Sequence, residues 1–198
     1  MRRIRVDVWW GDLTAADIAA ADGLPEAERK RLSELVPPAD RGRRLLGALL
    51  LQAAVRHHRG LPSTATVAID RHCLDCGRQH GRPTVADGRG PHVSVSHAGV
   101  YAVVATCAEA PVGVDVERVG DDADAARRWV AGESVVKTGA AQDRPAGHTV
   151  EELSAPHPAY VAALAVAALD AELEIVPHPL ASLRGSAPKA SSGGASTD

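Results

Sequence analysis

The 198-residue sequence predicts an α+β fold built from two similar small halves, and three observations carry that prediction. Apolar and polar residues alternate in short runs, "RIRVDVWW" at 3–10, "HVSVSHA" at 92–98 and "PVGVDVE" at 111–117, the period-2 signature of strands. A long amphipathic pattern at about 40–58 and a shorter one at 123–138 mark helices. Strands and one long helix are loosely duplicated about a midpoint near residue 109, which argues for two halves rather than one doubly wound sheet. The halves are taken as 1–108 and 109–180. Residues 181–198 end in "GSAPKASSGGASTD", a low-complexity tail expected to be disordered.

The elements follow in order. The stretch "LTAADIAAADGLPEAERKRLSELV" reads as two short helical pieces broken at Gly23-Leu24-Pro25. Asp40 is a suitable N-cap for the long helix, which puts Leu45, Leu46, Leu49, Leu50 and Ala53 on one face and stops at Gly60. A strand near 65–70, an irregular loop over 71–91 and strands at 92–96, 100–107 and 111–117 come next, the "HAGVY" segment forming a hairpin turn. The helix at 123–138 leads into a polar loop. "AYVAALAVAAL" fits a late strand or a buried helix, and periodicity does not choose between them.

Composition narrows the class. With 45% hydrophobic and 24% charged residues and a net charge of −3, the chain is globular, with no sign of a nucleic-acid or membrane partner. The N-terminus lacks an apolar signal core, the apolar runs are too short to span a bilayer, and three cysteines are an odd count for a disulfide framework. A soluble cytoplasmic protein is expected. "HCLDCGRQHG" sets His72, Cys73, Cys76 and His80 at partial zinc-ligand spacing. A single C-x₂-C reads first as a loop with two free thiols, and zinc stays open as the alternative.

Asp115 and Glu117 alternate onto one face of a strand flanked by apolar residues, and two like charges so placed need a cation. Arginine partners and a hard divalent ion both satisfy that need. Glu133 and Lys137 lie four apart on one helix face, as a surface ion pair or as a metal ligand and a phosphate-binding lysine. Basic residues gather in the first half at 29–31 and 41–44 and in "GRP" at 81–83, which suits a polyphosphate or merely a solvated helix face. Ser96 and His97 point to opposite faces of their strand and cannot easily act as nucleophile and base; phosphate contact suits them better.

Read together, "PADRGRRLLGALLL", "HGRP", "HVSVSHA", "PVGVDVE" and "WVAGESVVKTG" resemble the 4'-phosphopantetheinyl transferase superfamily, in its larger monomeric class serving polyketide and non-ribosomal peptide synthetases. The resemblance implies two α/β subdomains related by a pseudo-twofold, with coenzyme A in the cleft between them. It implies Mg²⁺ on Asp115, Glu117 and Glu133, and Lys137 on phosphate oxygens. Lys30, Arg43, Arg82, Ser96 and His97 would line the coenzyme site, and Glu133 with Lys137 would be catalytic. The substrates would be coenzyme A and an apo acyl or peptidyl carrier protein, the enzyme a monomer. Two departures stand out: only residues 118–132 separate Glu117 from Glu133, where the family has a longer segment, and Gly132 stands where the family has Lys. A degenerate member that binds coenzyme A or a carrier with little transfer is the alternative.

Overall fold

A computed structural model describes residues 2–15, 18–34, 38–139 and 147–179. It is mixed α and β, with a four-stranded, a three-stranded and a two-stranded sheet. The expected tail, 181–198, lies outside the described residues, as does 140–146 within the expected polar loop.

Strand β1 (Arg2–Asp12) opens the chain; short 3₁₀ turns follow, then α1 (Glu26–Ser33) and α2 (Pro38–His58). Next come β2 (Ile69–His72), β3 (Gln79–Val85), β4 (His92–Ala98), β5 (Tyr101–Cys107) and β6 (Val112–Arg118). Helix α3 (Ala123–Lys137) precedes β7 (Thr149–Leu153), β8 (Tyr160–Val166) and β9 (Ala171–Pro179). The larger sheet has the order β4-β5-β1-β9 and the smaller β6-β8-β7, while β2 and β3 pair only with each other. In each of the two larger sheets the last strand of a hairpin returns antiparallel to the strand that preceded the helix, β5 to β1 and β8 to β6. Strand β9 crosses from the later part of the chain to run parallel to β1.

The layers follow from side-chain alternation. One face of the large sheet, through Ile4, Val6, Val8, Val103 and Ala105, packs on Val112, Val114, Val116, Leu164 and Val166 of the small one. The other face, with Trp9, Val93, Ala102 and Val104, takes Leu46, Leu50, Leu51, Ala54 and Val55 of α2. Behind the small sheet, Val130 of α3 packs on Val161 and Ala163. The interior strands β1, β5 and β8 are therefore covered on both faces. This decides "AYVAALAVAAL": residues 160–166 form β8, and a strand buried on two sides loses its alternation.

Three expectations need correction. The supposed loop at 71–91 contains β3, whose "QHGRPTV" is largely exposed and so shows no strong apolar signal. The supposed polar loop after α3 contains β7, an edge strand whose Val150, Glu151 and Glu152 face solvent. Helix α2 is not apolar on one face alone. Leu45 and Ala48 pack with Leu24 and Leu32 of the α1 region, while Leu51, Ala54 and Val55 meet the sheet, so the helix is sandwiched.

The β1–β9 seam carries a polar clasp. Arg5 donates to Asp7 (Nη2 to Oδ1, 2.9 Å), and His178 Nε2 lies 2.7 Å from the same oxygen. Burial pushes the Asp7 carboxyl up, but the hydrogen bonds and charges of Arg5 and His178 outweigh it and hold its pKa below the usual value. A carboxyl with a depressed folded-state pKa adds stability above its unfolded value, about 3.9, and loses it as pH falls through the folded one. Asp7→Asn should therefore lose stability at neutral pH and flatten the acid limb of the stability–pH profile below about pH 4. Urea melts of both proteins from pH 7 to pH 3 measure this.

Candidate functional site

Strand β4, at the edge of the large sheet, lies beside β6 of the small one. Ser94 and Ser96 alternate onto the side that meets β6: the Val114 amide donates to Ser94 Oγ at 3.0 Å, and Ser96 Oγ donates to Asp115 Oδ1 at 2.7 Å. On β6, Gly113, Asp115 and Glu117 share the face covered by α3, while Val112, Val114 and Val116 enter the core between the sheets. Gly113 makes the contact possible. A Cβ there would stand 1.9 Å from the Ser134 carbonyl oxygen and 2.8 Å from the Thr138 amide, so only glycine lets α3 lie this close.

Asp122 caps the start of helix α3, its side chain accepting from the Ala125 amide at 2.8 Å. The helix ends at Lys137, which reaches back across β6. Lys137 Nζ donates to Asp115 Oδ1 at 2.5 Å and to Ser96 Oγ at 2.9 Å. Ser96, Asp115 and Lys137 thus form a closed triangle from three elements. Asp115 is buried, and its second oxygen, Oδ2, is buried without a hydrogen-bond partner. A carboxylate with one oxygen left unpaired in the interior is costly unless something else binds it.

The neighbouring carboxylates feel that charge. Burial, then the negative charges of Asp115 and Glu133, push the Glu117 carboxyl above its usual range, with Lys137 partly offsetting them. Glu117 and Glu133 are half-buried. The three carboxylates form a negative cluster, but their oxygens do not all lie within 4.8 Å of one another. Among the described residues only Cys73, Cys76 and His80, and separately Asp7, His57 and His178, meet that spacing.

The expected phosphate contacts divide into near and far. His97 projects from the opposite side of β4 to Ser96 and meets solvent at the surface; desolvation of its ring, then the charges of Arg44, Lys137 and Arg43, lower its pKa, a backbone hydrogen bond partly offsetting them. Arg43 on α2 is held by Asp40 and donates to the Gly99 carbonyl in the β4–β5 turn, at 3.3 Å. Arg82 on β3 donates to the Thr138 carbonyl at the end of α3, at 2.6 Å. These three surround the end of α3 and the β4–β5 hairpin. Lys30 is on the exposed side of α1, and its ammonium makes no hydrogen bond or ion pair among the described residues.

Sequence reasoning overlooked Ser94 and Gly113. The Ser-x-Ser alternation at 94–96 was the available signal for the first, since period 2 puts both hydroxyls on one face. Compared with known proteins, the chain matches no protein-family model and no curated protein.

Proposed function

We propose that this protein is a Mg²⁺-dependent 4'-phosphopantetheinyl transferase of the cytoplasm, acting as a monomer. It would move the phosphopantetheine arm of coenzyme A to a serine of an apo acyl or peptidyl carrier protein and release adenosine 3',5'-bisphosphate. The observation that carries the reading is the buried, unpartnered Oδ2 of Asp115 beside Glu117 and Glu133. Three hard oxygen donors with one orphaned oxygen fit Mg²⁺, which would need Glu117 and Glu133 to swing toward Asp115. When bound, Mg²⁺ would draw charge off the diphosphate.

In the protein's own chemistry, the carrier serine oxygen bonds to the β-phosphorus as the bond to the departing bisphosphate breaks. Glu133, directly or through water, would take the serine proton as general base. Lys137 would offer its ammonium to phosphate oxygens once the ligand competes with Asp115 for it. His97 with Arg43, Arg82, Lys30 and Ser96 would hold the coenzyme phosphates. The matching strand orders β4-β5-β1 and β7-β8-β6 support two pseudo-twofold halves, with coenzyme A between them.

The Lys137–Asp115 pair favours one second reading. An ammonium already at the carboxylate is what a degenerate member, binding coenzyme A or carrier without efficient transfer, would keep. Calorimetric titration separates the two. In the active reading coenzyme A binds more tightly with Mg²⁺, and Asp115→Ala removes that dependence. Lys30→Ala and His97→Ala should each weaken binding by about 1.5–3 kcal/mol through loss of a phosphate contact. Affinity that ignores both Mg²⁺ and Asp115→Ala would leave only the degenerate reading.

A further inference from the structure

The β2–β3 hairpin carries a second chemical feature, remote in kind from the carboxylates. Its turn holds Cys73, Cys76 and His80, whose ligand atoms all lie within 4.8 Å of one another; Cys76 Sγ and His80 Nε2 are 2.9 Å apart. A tetrahedral zinc with Zn–S of about 2.3 Å and Zn–N of about 2.0 Å needs ligand atoms roughly 3.5–3.8 Å apart, so small rotations close this set on an ion.

The backbone is already shaped for it. The Gly77 amide donates to the Cys73 carbonyl at 2.8 Å and the Cys73 amide to the Arg78 carbonyl at 2.9 Å. Gly77 sits at φ +72, reversing the chain just after the second cysteine, a conformation that favours glycine. Nothing apolar holds this turn together. Leu74 is 94% exposed and residues 74–80 all face solvent. Ile69 and Val85 anchor the base of the hairpin on α2, but the ladder is irregular between Asp70 and His72, so the turn end has no core of its own. Yet β3 must be placed, because Arg82, two residues beyond His80, reaches the end of α3.

We propose that this turn is a zinc knuckle in which Cys73 Sγ, Cys76 Sγ and a ring nitrogen of His80 bind one Zn²⁺, stapling β2 to β3. Two thiolates and an imidazole select zinc over the hard cations suited to the carboxylate cluster. No fourth His, Cys, Asp or Glu of the described residues joins the group, so water completes the tetrahedron and the ion is open to chelators. The site is independent of the transferase reading, since it shares no residue with it.

The test uses the full chain, purified under reductant and measured for zinc by mass spectrometry, then stripped and titrated with Co²⁺. The expected result is one zinc per chain and a cobalt spectrum with thiolate charge-transfer and tetrahedral d–d bands. Cys76→Ser should abolish both, and His80→Ala should weaken cobalt affinity at least tenfold. Adding zinc to the stripped wild type should slow amide exchange in 69–85 and leave β1 and β5 unchanged. A cobalt spectrum without thiolate bands would put the metal elsewhere, for instance at Asp7, His57 and His178, and would overturn the proposal. So would a thiol-reduced wild type that binds neither zinc nor cobalt, or one whose 73–76 cysteines form a disulfide that zinc does not prevent. The wild-type titration decides the matter even if a variant fails to fold.

Discussion

Glu28→Ala is expected to destabilise the protein by about 3–5 kcal/mol, read as a fall in the urea midpoint without a change in slope. Glu28 is buried on α1 between two guanidinium groups: Arg31 at 2.8 Å on its own helix and Arg71 at 3.1 Å on β2. Burial alone would raise its pKa, but those two arginines more than offset it and keep Glu28 ionised. Arg71 is itself buried, so removing the carboxylate leaves a cation in the interior with no counter-charge. That is the costly way to break a buried pair, whereas an exposed pair such as Arg127–Asp124 should cost under 1 kcal/mol. The effect should reach the basic side of the candidate site, because this pair ties α1, and with it Lys30, to the β2–β3 hairpin. A loss below 1 kcal/mol would mean that water solvates Arg71 in place of Glu28.

Gly113→Ala is expected to be nearly as damaging, and its damage should centre on the site. The added methyl would stand 1.9 Å from the Ser134 carbonyl, and backbone cannot move aside as a flexible side chain can. Overpacking of this kind costs about 1–3 kcal/mol and sometimes more. Relief comes only by lifting α3 off β6, which carries Glu133 as well as Lys137 away from Asp115 and breaks up the carboxylate cluster. The variant should therefore lose Mg²⁺-dependent coenzyme A binding even at temperatures where circular dichroism shows it folded. Gly132→Ala is the contrast. No atom lies within 4 Å of a Cβ there, so the helix should gain up to about 1 kcal/mol.

The sequence was legible where local pattern and tertiary burial agree. Strands β1, β4, β5 and β6 and helices α2 and α3 fall where alternation and amphipathicity put them, because each has a face turned to the core. Strands β3 and β7 were hidden because most of their side chains meet water, and β9 because it is an edge strand carrying Pro177 and Pro179. Within the candidate site, alternation correctly put Asp115 and Glu117 on one face and separated Ser96 from His97. What it could not supply was the partner of each group. The triangle of Ser96, Asp115 and Lys137 joins residues 41 and 22 positions apart, and only the packing of α3 against Gly113 creates it. The Cys73–His80 turn read first as a loop with two free thiols, because the gathering of His80 with Cys73 and Cys76 depends on the β2–β3 pairing that no periodicity announced.

Transfer of the phosphopantetheine arm is read out by intact-mass measurement of an apo carrier protein. The carrier is incubated with coenzyme A, Mg²⁺ and this protein. The expected result is a mass gain equal to one phosphopantetheine group on the carrier serine. That gain should vanish with chelator, with Asp115→Ala, or when the carrier serine is changed to Ala, and should fall more than coenzyme A affinity does in Lys137→Ala. An unchanged carrier mass, with coenzyme A bound and Mg²⁺ present, would contradict the transferase reading and leave a binding protein in its place.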